Sequence, residues 1–193
     1  ILSSSPGPDG VSAPVIQSWD SVGLIGLLEV FNRSWIDGEV PIVWRSAILI
    51  PLLKPGRRRT DVTSYRPIAL TSVFAKTLER LVLQRLYSLL DFSQLLHPHH
   101  YGFLRNRGSI DALLLLHRTI VVAKKRRWFI YVTSLDIKGA YDAVNVRLLI
   151  QRLARVGIRG RVLRWLAAFF QQRTFQVKWR GCLSTTCPVI LGV

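Results

Sequence analysis

The predicted fold depends most on the segment Ser134-Leu135-Asp136-Ile137-Lys138-Gly139-Ala140-Tyr141-Asp142-Ala143-Val144. Aromatic and β-branched residues over 128–135 predict a strand that leads into Asp136. A turn of small residues after such a strand presents a carboxylate at the strand tip, where a cation and phosphates can approach. A plainer interpretation also fits, in which Asp136 ends a strand and Asp142 caps the next helix. The spacing alone favours this plainer interpretation.

The surrounding sequence predicts an α+β fold. Apolar residues at helical spacing predict helices over 14–35, 72–90, 109–125, 147–156 and 161–170. Runs of apolar and β-branched residues predict strands over 44–53, 128–135, 173–179 and 185–191. The polar, basic segment after Lys54-Pro55-Gly56 is expected to be an exposed loop.

The chain is strongly basic. Lys and Arg number 27 against 11 Asp and Glu, for a net charge of +16 over 193 residues. This excess predicts a polyanionic partner, and nucleic acid is favoured over an anionic membrane. No apolar run reaches the roughly 18 residues that span a bilayer, and no segment reads as a basic amphipathic surface helix flanked by a lipid anchor, so no membrane partner is expected. We expect an intracellular location, without distinguishing nucleus from cytoplasm. The absence of any Met leads us to expect a piece of a longer reading frame.

The two cysteines and the loop histidines are not expected to bind metal. Cys182 and Cys187 fit no zinc spacing and are interpreted as free intracellular thiols without a function. His97, His99 and His100 have no carboxylate or Cys at ligand spacing, so they are interpreted as ordinary loop residues.

Several ordered blocks carry a family resemblance. They are Ser5-Pro6-Gly7-Pro8-Asp9-Gly10, Ile50 to Gly56, Ser64-Tyr65-Arg66-Pro67-Ile68-Ala69-Leu70-Thr71, Tyr101-Gly102-Phe103 with Arg107 and 111–113, and the segment from Leu135 to Asp142. This succession resembles the reverse transcriptase of non-LTR, jockey-like retrotransposons over essentially the whole chain. A group II intron protein is a weaker match, because the opening block and Tyr-Arg-Pro-Ile favour the retrotransposon.

The resemblance implies a right-hand polymerase fold. It places the fingers, with an N-terminal extension, at 1–127 and a partial palm at 128–193. The region 189–193 is similar to the start of a block that continues Pro-Gln-Gly in the family. The second catalytic carboxylate block of the family follows that point, so we expect the chain to end before it and to be inactive alone.

The resemblance also implies a role for residues of the opening stretch. Asp136 is the expected catalytic residue and binds Mg²⁺ together with the backbone carbonyl of Ile137. In two-metal nucleotidyl transfer, Mg²⁺ activates the primer 3′-hydroxyl and stabilises the leaving pyrophosphate. Tyr141, where most relatives carry Phe, lies under the incoming sugar and excludes a ribose 2′-hydroxyl. Asp142 is expected to cap locally and not to bind metal.

Four basic residues complete the implied site. Lys54 and Arg66 are expected to bind the triphosphate of the incoming nucleotide, and Pro67 holds Arg66 in an extended conformation. For Lys54 alone, a solvated loop charge is an equally good interpretation. Arg105 and Arg107 are expected to contact the template. Here His100 and Leu104 replace the Gln and Arg usual around the Tyr-Gly-Phe block, which puts the geometry of this loop in question.

The expected function is therefore that of an RNA-directed DNA polymerase. Its partners would be an RNA template, a DNA primer and deoxynucleoside triphosphates, with Mg²⁺ and no small-molecule cofactor. The alternative is a basic relic of a retrotransposon that binds nucleic acid without catalysis, since the charge fits both interpretations.

Overall fold

A mixed sheet carries the fold in the computed structural model, which describes residues 5–90, 92–190 and 192. Its strands are β1 (Ser46–Leu53), β2 (Tyr65–Thr71), β3 (Thr174–Trp179), β4 (Cys182–Leu183) and β5 (Cys187–Pro188). The order is β2-β1-β3-β4, with β5 also paired to β3. β1 is antiparallel to β2 and parallel to β3, so the sheet joins two regions that are distant in sequence.

The helices are α1 (Ala13–Gln17), α2 (Ser21–Asp37), α3 (Val73–Leu89), α4 (Phe92–Leu95), α5 (Ser109–Lys125), α6 (Val146–Arg155) and α7 (Gly160–Phe170). Short 3-10 turns occupy Ile42–Arg45 and Val62–Ser64. This arrangement confirms the predicted α+β class. Among the described residues, no helix is both long enough and apolar enough to cross a membrane.

The predicted first helix is two helices. Asp20 separates them because its carboxylate accepts a hydrogen bond from the Gly23 N–H at 2.9 Å and so caps α2. Gly38, at φ 70°, ends α2 in the left-handed conformation that favours glycine. The predicted helices over 72–90, 109–125, 147–156 and 161–170 are confirmed within one or two residues.

The chain divides into two compact units. One comprises residues up to Arg85 together with residues from Gly139 onward, and the other comprises Leu86–Lys138. The first contains the whole sheet, and the second contains α4 and α5. The predicted boundary between fingers and palm at 127/128 stays a prediction.

The core of the first unit is aromatic. Trp165 on α7 is only 1% exposed, and its ring stacks on Phe169 with centroids 5.2 Å apart. The Trp165 indole N–H donates to the buried Ser34 hydroxyl on α2 at 3.1 Å. Arg164 donates to the Ile36 carbonyl at 2.8 Å and so adds a second tie between α7 and α2. Burial of large rings and one satisfied indole donor therefore hold these two helices together.

The opening Ser-Pro-Gly-Pro-Asp-Gly block forms a turn packed against the end of β2. The Gly10 N–H donates to the Gly7 carbonyl at 3.1 Å, and Asp9 accepts from the Val11 N–H at 3.2 Å. Gly7 is buried, and a Cβ placed on it would lie 2.4 Å from the Thr71 carbonyl carbon. Only glycine fits this close approach of two backbones, which explains its place in the block.

The predicted strand over 128–135 is wrong. None of the described residues pairs with this segment, which runs without regular structure to Lys138. Its apolar side chains are exposed, with Phe129 at 95%, Tyr131 at 93% and Leu135 at 89%. Strand propensity expresses a side chain's fit to a paired, half-buried surface, and this segment has no partner strand among the described residues.

The C-terminal strand prediction is correct in part. Residues 173–179 form β3 as expected. Of the predicted partner over 185–191, Cys187–Pro188 pairs with β3, and Leu191 lies outside the described residues. The strand β2 was not predicted, because a proline such as Pro67 normally argues against a strand. Pro67 lies on an edge strand, where a missing backbone N–H is tolerated.

Candidate active site

Lys54 and Arg66 lie on the β1–β2 hairpin. Strand pairing places Arg66 opposite Leu52, two residues before Lys54. The Lys54 ammonium donates to the Thr63 carbonyl at 2.8 Å, and its backbone N–H donates to the Ser64 carbonyl at 2.9 Å. Lys54 is thus half-buried and helps to close the loop, while Arg66 is exposed. The fold brings both cations to one end of the hairpin.

The connecting loop is ordered by its own hydrogen bonds. Asp61 accepts from the Thr63 N–H at 2.8 Å and from the Thr63 hydroxyl at 2.7 Å. These bonds from Thr63 lower the pKa of the Asp61 carboxyl below its ordinary value. Tyr65 donates its hydroxyl proton to the Arg59 carbonyl at 2.9 Å and so fixes the other side of the loop. A basic loop of defined shape therefore lies next to Lys54.

Alternation along the strands separates two faces of the sheet. Gln176 pairs with Ile48, which is on the Leu52 and Arg66 side of β1, so Lys178 lies on that side too. Lys178 is exposed and adds a third cation to this face. The prediction from sequence missed Lys178, although the alternation over 174–179 would have identified it once the pairing was known.

Tyr141 lies in a tight turn that a distant glycine contacts. The Ala143 N–H donates to the Gly139 carbonyl at 2.9 Å, and Gly139 is at φ 62°. The Gly192 N–H donates to the Val144 carbonyl at 3.0 Å. A Cβ on Gly192 would be 3.1 Å from the Tyr141 carbonyl oxygen, so the two backbones touch. Tyr141 is 59% exposed, and its ring is accessible.

The contact of Gly192 with Tyr141 is a second feature that was not predicted from the sequence. It belongs to the 189–193 block, of which Leu191 and Val193 lie outside the described residues. The resemblance identified this block as the start of a Pro-Gln-Gly segment but did not connect it with Tyr141. The contact between Gly192 and Tyr141 uses backbone atoms alone.

The expected capping by Asp142 is wrong. The side chain of Asn145 accepts from the Leu148 N–H at 3.1 Å and caps α6. Asn145 stands directly before the helix, whereas Asp142 is four residues before its first residue. A side-chain cap must lie next to the first turn to reach its N–H groups, so the position of Asp142 excludes it.

Asp136 and Ile137 belong to the unit Leu86–Lys138, whereas Lys54, Arg66 and Tyr141 belong to the other. Asp136 is exposed, and its carboxylate has no hydrogen-bond or ion-pair partner among the described residues. Ile137 is 76% exposed, with its carbonyl in the irregular segment. Both groups are thus accessible to a cation.

The donor set for a metal is small. Across the described part of the chain, no group of three or more His, Cys, Asp and Glu side chains could hold a metal ion. A hard cation such as Mg²⁺ is held in proteins by one or two carboxylates plus substrate phosphates and water. One accessible carboxylate and one carbonyl therefore fit part of such a site.

Arg105 and Arg107 are held in the second unit by local contacts. The Arg105 guanidinium lies 4.7 Å from the centroid of the Tyr87 ring. Arg107 donates through one Nη to the Pro98 carbonyl at 2.8 Å and to the His100 carbonyl at 3.2 Å. Arg107 thus shapes the loop that contains the histidines, where the His97 and His99 rings meet edge to face.

Two opposite charges of the first unit, Glu79 and Arg173, are half-buried. Burial raises the pKa of Glu79 on α3, and Arg173 and Lys76 oppose that rise. Burial likewise lowers the pKa of Arg173, against the attraction of Glu79. The Arg173 guanidinium also lies 5.5 Å from the centroid of the Phe169 ring. Burial therefore disfavours the charged form of both groups, and their mutual attraction opposes this effect.

Comparison with known proteins agrees with the block pattern. The reverse transcriptase (RNA-dependent DNA polymerase) family matches residues 52–187. The chain is 29% identical over 192 residues to the RNA-directed DNA polymerase from mobile element jockey of Drosophila melanogaster, covering 100% of this chain and 21% of that protein. The corresponding Drosophila funebris protein is 28% identical over 98% of the chain and 20% of its own length.

A third relative comes from another element. The putative 115 kDa protein in type-1 retrotransposable element R1DM of Drosophila melanogaster is 30% identical over 171 residues, covering 88% of the chain and 16% of that protein. The chain thus spans about a fifth of the length of the jockey relatives. The resemblance to non-LTR retrotransposon enzymes is confirmed. Because the family match covers more than half of the 193 residues, the chain belongs to the reverse transcriptase family.

Proposed function

We propose that this chain forms the fingers and the first part of the palm of an RNA-directed DNA polymerase. The polymerase adds deoxynucleotides to a primer 3′-hydroxyl on an RNA template. The family match over 52–187 is the observation that carries this proposal, because it includes Lys54, Arg66, Asp136 and Tyr141 in the expected order. The action is intracellular, where template and nucleotides occur together.

Lys54 and Arg66 bind the triphosphate of the incoming nucleotide. A lysine ammonium has three N–H donors, and the Thr63 carbonyl takes one, which leaves two for phosphate oxygens. Arg66 is exposed and presents a planar fork that can donate two parallel hydrogen bonds to a phosphate. Lys178, on the Arg66 face of the sheet, adds attraction for the same polyanion.

Tyr141 selects deoxyribose. Its ring lies under the sugar and closes the space that a ribose 2′-hydroxyl would need. The contact of Gly192 with the Tyr141 carbonyl supports this role, because a fixed backbone limits how far the ring can retreat. Most relatives carry Phe at this position, and Tyr141 differs from Phe only by its hydroxyl.

Asp136, with the Ile137 carbonyl, would hold Mg²⁺. A bound Mg²⁺ would supply activation of the primer hydroxyl and charge neutralisation on the leaving pyrophosphate. The carboxylate fits this task because it is exposed and has no partner among the described residues. Because no cluster of three or more His, Cys, Asp and Glu side chains occurs among the described residues, Asp136 and the Ile137 carbonyl fill only part of a metal site, and we expect little primer extension from the 193 residues tested by themselves.

Arg105 and Arg107 contact the template. Arg107 uses one Nη for two loop carbonyls, so its remaining N–H groups can reach phosphate. Arg105 is held against Tyr87 with its charge at the surface. Loss of Arg107 would alter the loop as well as the charge, whereas loss of Arg105 would mainly remove charge.

A chimera tests the proposed function. The chain is followed by the downstream part of the jockey polymerase, and primer extension is measured on poly(rA) with oligo(dT) primer. We expect extension with dTTP and little with UTP. Tyr141→Phe should keep this preference, and Tyr141→Ala should relax it by roughly tenfold or more, since a lost steric exclusion is worth a few kcal/mol. An Ala variant that still rejects UTP would contradict the assignment of Tyr141.

A further inference from the structure

Residues 143–193 contain nine Lys and Arg and no Asp or Glu. Three of the nine have visible partners within the protein. Arg164 donates to the Ile36 carbonyl at 2.8 Å, the Arg173 guanidinium lies over Phe169, and that of Arg180 lies 6.0 Å from the Trp179 ring centroid. Lys178 belongs to the sheet face described above.

The other five cations form what we term the arginine face, which consists of Arg147, Arg152, Arg155, Arg159 and Arg161. All five are exposed. Within the described ranges, none of their side chains makes a hydrogen bond, an ion pair or a ring contact. Every member is arginine, the side chain whose planar fork matches phosphate geometry. The fold therefore leaves five phosphate-binding groups without an internal role in charge pairing.

The arginines of α6 are on one side of the helix. At about 100° per residue they fall within an arc of about 140°. Arg147 and Arg155 are separated by about 12 Å along the axis, at about 1.5 Å per residue. The opposite arc carries the half-buried Leu149, Ile150 and Leu153, and α6 packs on α7. A helix that binds a membrane surface buries its apolar side in the lipid, but α7 already covers the apolar side of α6.

The remaining two arginines lie at the start of α7, four and six residues after Arg155. Arg159 immediately precedes α7, and Arg161 lies in its first turn. Cations there face the positive end of the helix dipole, so they weaken the helix and do not stabilise it. By contrast, Arg152 and Arg155 lie in the last turn of α6, where the dipole favours them. An external anion would offset the unfavourable charge at the start of α7.

We propose that the arginine face binds the phosphate backbone of a nucleic acid strand. This binding is separate from nucleotide selection, because it uses none of the residues assigned to the triphosphate, the metal or the sugar. It anchors RNA or DNA through phosphates, without reading sequence. The chemistry is shared by an RNA single strand, an RNA–DNA hybrid and a DNA duplex, and direct comparison identifies which one is bound.

Salt-dependent binding tests the proposal on the 193-residue chain. The probes are a fluorescein-labelled 20-mer RNA, the same RNA paired with DNA, and a DNA duplex of equal length. The test variant carries Arg→Gln at all five positions of the arginine face. The control carries Gln at five exposed cations elsewhere, at Arg118, Lys124, Lys125, Arg126 and Arg127, so both have the same net charge.

The slope of log K against log salt counts the phosphates engaged. If all five arginines engage, the test variant should lose about 3.5 of slope on single strands or about 4.5 on a duplex, and the control far less. The bound form is the probe whose loss comes nearest to the value expected for five phosphates, about 3.5 for the single strand or about 4.5 for a duplex. A five-fold Arg→Lys variant should keep most of the slope and bind more weakly, since it keeps charge but not the fork.

Three results would overturn the proposal. Equal slope losses in the test and control variants would mean that only net charge matters. An unchanged slope in the test variant would mean that the face contacts no phosphate. Stronger binding to phosphatidylserine vesicles than to every nucleic acid would assign the face to a membrane.

If the five-fold Gln variant fails to fold, the pair Arg159→Gln and Arg161→Gln should still lose slope, and an unchanged slope there counts against the proposal. The binding assay contains no nucleotide and measures no primer extension, so failure here is distinct from failure of the polymerase proposal.

Discussion

Gly7→Ala should destabilise the first unit by a predictable amount. The added methyl would lie 2.4 Å from the Thr71 carbonyl carbon and 2.6 Å from the Ser72 nitrogen. Carbon atoms pack at about 3.5–4.0 Å, so the backbones must separate by about 1 Å. Ser72 is fully buried and its hydroxyl lies 3.4 Å from the Ala75 N–H, so it offers little room to move.

The magnitude follows from two opposing effects. Overpacking of this kind costs about 1–3 kcal/mol, and the stiffer unfolded chain returns about 0.4–1 kcal/mol. The net loss should be about 1–2 kcal/mol in the free energy of unfolding. For a chain of this size that corresponds to a melting temperature roughly 2–8 °C lower. Urea denaturation followed by circular dichroism should show a lower midpoint with an unchanged m-value.

Gly26→Ala is the matched control. Gly26 lies within α2, is exposed, and a Cβ on it would meet nothing within 4 Å. The substitution should stabilise by about 0.5–1 kcal/mol, because alanine is the better helix former. A Gly7→Ala variant as stable as the parent, with Gly26→Ala behaving as expected, would refute the close packing of the opening block on β2.

Three further predictions concern buried polar groups and a cap. Ser34→Ala leaves the Trp165 indole N–H buried without its 3.1 Å acceptor, and urea denaturation should show a loss of about 1–3 kcal/mol. Burial raises the pKa of Glu79 above its ordinary value of 4.5, so the folded state is more stable at low pH, where Glu79 is neutral. This extra stability is lost as the pH rises from about 4.5 through the raised pKa. Glu79→Gln should remove this fall in the free energy of unfolding, so the variant should gain stability relative to the parent between about pH 4 and pH 7. An unchanged difference, or a change in favour of the parent, would be inconsistent with a raised pKa. Asn145→Ala should lose about 1 kcal/mol because it removes the cap of α6, whereas Asp142→Ala should change stability by under about 0.5 kcal/mol, and similar losses in both would restore Asp142 as the cap.

Local patterns predicted the helices well, since their apolar spacing is a property of the segment itself. The 73–89 and 109–125 helices show this, with bounds within one or two residues of those predicted. Strands depend on partners that the local sequence does not name. The parallel pairing of β1 with β3 joins residues more than 120 positions apart, and the apolar segment 128–135 has no partner among the described residues.

The site was predictable to the extent that it depends on motifs. The resemblance pointed to Lys54, Arg66 and Tyr141 by residue, and the fold places the two cations on one hairpin. It could not predict the hydrogen bond from Lys54 to Thr63 or the contact of Gly192 with Tyr141. Both depend on backbone geometry that no spacing of residues encodes. The arginine face likewise required knowing which of nine cations have partners.

We propose that Asp136 is a metal-binding catalytic carboxylate of a reverse transcriptase. The decisive assay is primer extension by the chimera with the downstream jockey segment, in which Asp136→Asn is compared with Asp142→Asn. We expect a loss of roughly 100-fold or more for Asp136→Asn, above the 10- to 100-fold typical of groups that only support a metal ligand. Asp142→Asn should keep extension near the parent level. Comparable activity in the two variants would rule out this role for Asp136.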